Sequence, residues 1–280
     1  MKGCTVSSFF MLSALSAALC FGIGDFLGGK ASTKLPVVAV LVISELFGCV
    51  AFGVLAWING ESMLSLPLAI MAVVAGITGA VGLAGLYHGI AQGHTAVTAP
   101  VSAVLSAIIP VLFGIYTSGF PSTLAVIGMS IGTIAIVLNS LSGRASGYQG
   151  LWQGLLAGVT FGVFLILLKY IGSAGIFVPL AIARGGALLV TIPWLLTRPR
   201  ASYPIAGVGL AIAAGTFDLS ANAAYMVATQ HGRLDIASML ASLYPAITVL
   251  LAFFVNGEKI NTLQRWGLVA TVVASVLISF

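Results

Sequence analysis

Of the 280 residues, 60% are hydrophobic and only 6% charged, against roughly 25% charged in a soluble domain. That balance excludes a soluble enzyme or receptor, because so few charges cannot cover a water-facing surface. The formal charge of +5 comes from basic residues standing singly or in pairs between apolar runs. This is the pattern of loop charges that orient a membrane protein, and it excludes nucleic acid as a partner.

A crossing needs about 20 apolar residues. Cut at Gly, Pro, Asn and charge, the chain predicts ten spans near 7–28, 36–58, 67–91, 96–118, 122–142, 149–171, 176–197, 204–229, 234–255 and 262–280. The fold class is an all-α membrane protein, and the short loops force antiparallel neighbours.

Lys2 followed by an apolar stretch has the look of a signal peptide, but the run is too long and no cleavage site interrupts it before Asp25. It is read as the first span. Asp25, late in this span within Gly24-Asp25-Phe26-Leu27-Gly28, either lines a cavity mouth or reaches interfacial water. Lys30 and Lys34 fall in the loop expected from Gly29 to Leu35.

Glu45 lies near the middle of span two, where a charge costs roughly 2.5–3.5 kcal/mol on insertion scales and so marks a functional candidate. In span three, His88 beside Tyr87 is either a proton relay or one interhelical hydrogen bond. Gly128-Met129-Ser130-Ile131-Gly132 in span five matches a hydrolase nucleophile pattern. That chemistry needs a strand-to-helix elbow, whereas here the glycines form a helical small-residue face.

Span six carries Gly150, Gly154, Gly158 and Gly162 on one face, a device for close helix packing in lipid. Arg184 sits near the middle of span seven. In span eight Asp218, Asn222 and Tyr225 fall at i, i+4 and i+7, a polar stripe that should face a cavity. Cys4, Cys20 and Cys49 follow no metal or redox spacing and are read as packing residues. The three histidines, His88, His94 and His231, lack ligand spacing, so no metal is expected.

The halves resemble each other. Phe21-Gly22 recurs as Phe161-Gly162 at an offset of 140, Glu45 corresponds to Arg184 at 139, and Tyr87 and Gly119 recur as Tyr225 and Gly257 at 138. Five spans per half is odd, so the halves should cross the membrane in opposite senses, as in the inverted repeats of secondary transporters. The expected division is 1–143 and 147–280. Glu45 and Arg184 then meet at the seam, as a gate, as a clamp for zwitterions with Arg184 on the carboxylate and Glu45 on the ammonium, or as a structural ion pair.

The segment from Ile236 to Phe280 carries Tyr244-Pro245, Gly257-Glu258, Gln264 and Gly267 in an apolar setting. It resembles the end of an EamA-type repeat of the drug/metabolite transporter superfamily. The first half resembles the same repeat, with Pro110 and then Gly119-Phe120 where Gly-Glu is expected. The resemblance implies a ten-span carrier of small metabolites, with a cavity lined by spans 1–4 and 6–9 and with spans 5 and 10 peripheral.

The expected function is therefore a secondary transporter moving an amino acid, amine or drug-like compound across the inner membrane by alternating access. Export is the expected direction. Glu45, Arg184, Asp218, Asn222, Tyr225, Tyr87, His88 and Asp25 are the expected substrate-binding or coupling residues. The expected partners are the substrate, protons or a counter-substrate, and membrane lipid, in a monomer or homodimer. No cofactor is expected, and no G-x-x-x-x-G-K-[ST] sequence for nucleotide occurs. The alternatives are an intramembrane enzyme acting on a lipid or small apolar substrate, and a passive channel. Loop charges stand seven (Lys30, Lys34, Arg144, Arg198, Arg200, Lys259, Arg265) against two (Lys2, Arg233), which places the termini away from the cytoplasm.

Overall fold

A computed structural model describes residues 8–92, 94–141, 148–197 and 204–280. They form eleven α-helices: α1 Ser8–Ser32, α2 Val37–Ile58, α3 Leu66–Ala91, α4 Thr95–Ser118, α5 Thr123–Ser140, α6 Leu151–Ile171, α7 Phe177–Leu196, α8 Ile205–His231, α9 Leu234–Ala241, α10 Pro245–Asn256 and α11 Thr262–Ile278. The described residues contain no strand. With α9 and α10 taken together, nine segments are long and apolar enough to cross a membrane. The tenth, α11, has 17 residues, about 25 Å of helix.

Two expectations from the sequence need correction. The first helix runs on to Ser32, so Lys30 is helical and not in a loop. Its ammonium lies 5.2 Å from the Phe26 ring centroid, and the flexible stem lets the charge leave the apolar zone without ending the helix. The ninth span is interrupted. Ser242 N–H still donates to Ser238 O (2.9 Å), but Leu243 and Tyr244 donate only three residues back, at 3.2 and 3.4 Å. Pro245 then begins α10, where its missing N–H is no loss. Nor is proline alone enough to break a span, since α4 runs through both Pro100 and Pro110.

Small residues bring the helices together. Built on the glycines of α6 and its cap, a Cβ would fall 2.5 Å from His94 Cβ at Gly150, 2.9 Å from Val101 Cβ at Gly154, 2.5 Å from Leu105 Cβ at Gly158 and 2.8 Å from Ile109 Cβ at Gly162. One glycine stripe thus seats α4 from its start to Ile109, which supplies the close approach that lipid-embedded helices depend on.

The packing repeats itself when each helix is exchanged for its counterpart in the other half. Helix α1 packs on α8 as α6 packs on α3, while α2 packs on α7 and α5 on α11. The register agrees residue by residue. A Cβ on Gly76 meets the Ala183 carbonyl, and one on Gly215, 139 positions later, meets Ser44, which is 139 positions before Ala183. In α5 and α11, Gly128 meets Ile278 while Gly267 meets Asn139, again offsets of 139. The start of each of these two helices touches the end of the other, so they pack antiparallel.

At the end of the bundle near the α2–α3 loop, Glu61 caps α7. Its Oε1 accepts from Ile176 N–H (3.0 Å) and Phe177 N–H (3.2 Å), and its Oε2 from Phe177 N–H (2.9 Å) and Val178 N–H (2.8 Å). A carboxylate there satisfies orphan amides and the positive end of the helix dipole.

Candidate functional site

A cavity of about 190 Å³ lies at the centre of the bundle, walled by residues of α1–α4, α6–α9 and the α9–α10 break. Helices α5 and α11 contribute nothing to it. One water needs only ~10–15 Å³ on the same measure, so the space suits a small organic molecule.

The side chains that carry charge converge here. Arg184, from α7, donates through Nη1 to both carboxylate oxygens of Glu45 in α2, at 3.1 and 3.0 Å. Its Nη2 donates to Asp218 Oδ2 in α8 at 2.5 Å. Glu45 and Arg184 are buried, whereas the Asp218 side chain is 40% exposed, toward the cavity. An isolated charge at this depth costs several kcal/mol, and sharing one guanidinium between two acids reduces that cost for all three. The sequence anticipated the Glu45–Arg184 pairing; Asp218 adds a second acid to it. Both forks of the guanidinium are thereby engaged by protein carboxylates, which leaves the zwitterion clamp without a free cation.

Asp25 also lines the cavity and is exposed to it. Among the described residues it makes no hydrogen bond or ion pair. Its neighbour Gly24 lies against the backbone of α8, where a Cβ would sit 3.4 Å from Asp218 N. Asn222, one turn beyond Asp218, lines the same cavity and donates from Nδ2 to the Asp218 carbonyl at 2.7 Å. Only an amide nitrogen can make that bond, so the Asn222 oxygen is the opposite terminus, and among the described residues it finds no donor.

The remaining expected residues lie elsewhere. Tyr225 is fully buried in packing, its hydroxyl donating to Leu165 O (3.1 Å) and bonded to Ser238 Oγ (2.7 Å). It shares a stripe with Asp218, but seven residues raise it about 10 Å along the helix, to a level that α9 covers. His88 is exposed at the end of α3 and pairs with Gln92 at 3.1 Å. The Tyr87 side chain lies outside the described ones.

Sequence reasoning missed the aromatic part of the wall, namely Phe21, Phe161, Phe164 and Tyr244. Phe21 and Tyr244 have ring centroids 6.1 Å apart. The Phe21/Phe161 correspondence was the available clue, read only as a repeat and not as a lining.

Lining positions come in equivalent pairs from the two halves, but their chemistry is not shared. On α1 and α8 they are Asp25, Asp218 and Asn222; the counterparts on α6 and α3 are Leu165, Gly79 and Leu83. One wall is therefore polar and acidic, and the opposite wall apolar.

These features define a multi-pass, all-helical membrane protein with a central cavity that carries its charged side chains on one side. Residues 148–280 match the EamA-like transporter family. That half of the chain is an EamA-type segment, which supports an EamA-type transporter of the drug/metabolite transporter superfamily. A solved structure described as "Crystal structure of protein" superposes with a TM-score of 0.80 over 97% of this chain and 96% of that one, at 16% identity. That likeness shows a common fold across both halves of the chain. No curated protein matches the chain.

Proposed function

We propose that this transporter is a secondary carrier that exports a small metabolite (an amino acid, amine or drug-like compound) across the inner membrane by alternating access. The observation that carries the reading is the Glu45–Arg184–Asp218 cluster at the cavity, in which Arg184 of the second half grips Glu45 of the first. On this reading the halves, 1–143 and 147–280, act as inverted repeats that rock against each other, and the α2–α7 seam is where they part and rejoin. The equivalent glycine contacts and the antiparallel packing of α5 on α11 support that relation. A two-fold axis that turns one crossing helix onto an antiparallel partner lies in the membrane plane.

The test is counterflow in proteoliposomes holding the purified protein. A carrier loaded with unlabelled substrate accelerates uptake of labelled substrate against its gradient. Flux that never saturates, without exchange, would make the protein a channel.

A further inference from the structure

The acidic wall and the apolar wall face each other across one small cavity, and that asymmetry narrows the substrate. Counted formally, three carboxylates (Asp25, Glu45, Asp218) meet one guanidinium, and the guanidinium is already held by two of them. The group left for a ligand is an acceptor, not a cation. A second observation points the same way. Asn222 is only 1% exposed, lines the cavity, and keeps an oxygen that has no donor among the described residues. A buried acceptor without a donor costs free energy, and an arriving N–H relieves it. An anion would meet these acids and no free cation, and the carboxylate of an amino acid would meet the same obstacle.

We infer that the site takes a protonated primary or secondary amine with an apolar body and no carboxylate, its ammonium held by Asp25 and Asn222. The apolar body lies toward Leu83, Leu165, Phe161 and Phe164 on the α3–α6 side. Aromatic faces there suit both a hydrocarbon body and the flank of a cation. A quaternary ammonium keeps the charge but has no N–H to give Asn222, so it fits less well. The inference deepens the carrier reading and rests on it only for the word substrate; the binding chemistry stands apart.

The experiment is calorimetric binding to the full chain in nanodiscs, with four probes of one skeleton: 2-phenylethylamine, its trimethylammonium analogue, phenylalanine and 3-phenylpropionate. Phenylethylamine should bind. Its quaternary analogue should bind about tenfold more weakly, and phenylalanine and phenylpropionate more weakly still, as expected when a hydrogen bond to a charged group is lost. Asp25→Asn, with its melting temperature retained, should lower amine affinity about tenfold or more. Asn222→Ala should erase the preference for the primary over the quaternary amine. That ratio remains readable even if Asp25→Asn does not fold.

Phenylalanine bound as tightly as the amine, an undiminished affinity in well-folded Asp25→Asn, or no amine binding would each overturn the inference. Amine binding without counterflow would keep this site and remove the carrier. Counterflow of another compound without amine binding would do the reverse.

Discussion

Arg184 is the residue on which the cavity's electrostatics turn, because it is the shared partner of two acids in a setting with little water. Removing it leaves Glu45 and Asp218 side by side and unpaired. Arg184→Ala should therefore lower stability by about 3–5 kcal/mol, the range for breaking a buried pair from one side, read as a fall in melting temperature in detergent. Glu45→Gln and Asp218→Asn keep shape and one hydrogen bond each, so they should insert and melt near the wild type yet lose transport. Wild-type transport by both would reduce the cluster to a structural knot. Most of this cluster was legible in the sequence, because a charge at midplane depth is too costly to face lipid and must turn inward. Asp25 was legible as a candidate only, since a late position in a span does not tell a cavity from interfacial water. Tyr225 misled because helical periodicity fixes the face of a residue but not the height at which a neighbouring helix covers it. The capping role of Glu61 had no local signal at all, its partners lying 115 to 117 positions away.

Among elements, the bundle depends on where backbones touch, and α7 offers a direct comparison. A Cβ at Gly186 would lie 2.5 Å from the Val73 carbonyl oxygen of α3, while one at the adjacent Gly185 meets nothing within 4 Å. Alanine is favoured over glycine in a helix by about 1 kcal/mol, so Gly185→Ala should be neutral or stabilising. Gly186→Ala has to push α3 off α7 and should lower the melting temperature and the transport rate. Equal tolerance of both variants would show that this interface gives way easily. The sequence displayed the glycine spacing on α6 but not which helix it received, because α4 approaches through ordinary Val, Leu and Ile side chains that carry no mark. Nor did it show the break at Ser242–Tyr244. Leu-Tyr-Pro reads as a continuous apolar run, and the same residue type at Pro100 and Pro110 leaves α4 unbroken.

For the whole molecule, the relation of the halves governs both topology and mechanism, and it makes a prediction that charge counting alone cannot. Lys34, in the α1–α2 loop, and Ser173, in the α6–α7 connection, are 139 positions apart and so equivalent between the halves; both are exposed. If the halves are inverted, equivalent loops lie on opposite sides of the membrane, whereas parallel repeats put them on the same side. The preponderance of basic residues on the Lys34 side, seven against three once Lys169 at the end of α6 is counted, favours the cytoplasm for that side. In a background with Cys4, Cys20 and Cys49 replaced by alanine, Ser173→Cys should therefore react with an impermeant thiol reagent in intact cells. Lys34→Cys should react only after the membrane is permeabilised. The converse pattern would turn the protein over in the membrane but leave the inversion standing, since the two loops would still be on opposite faces. Labelling of both sites in intact cells, or of neither until permeabilisation, would put equivalent loops on one side. The rocking of one half against the other about a shared cavity would then lose its geometric basis.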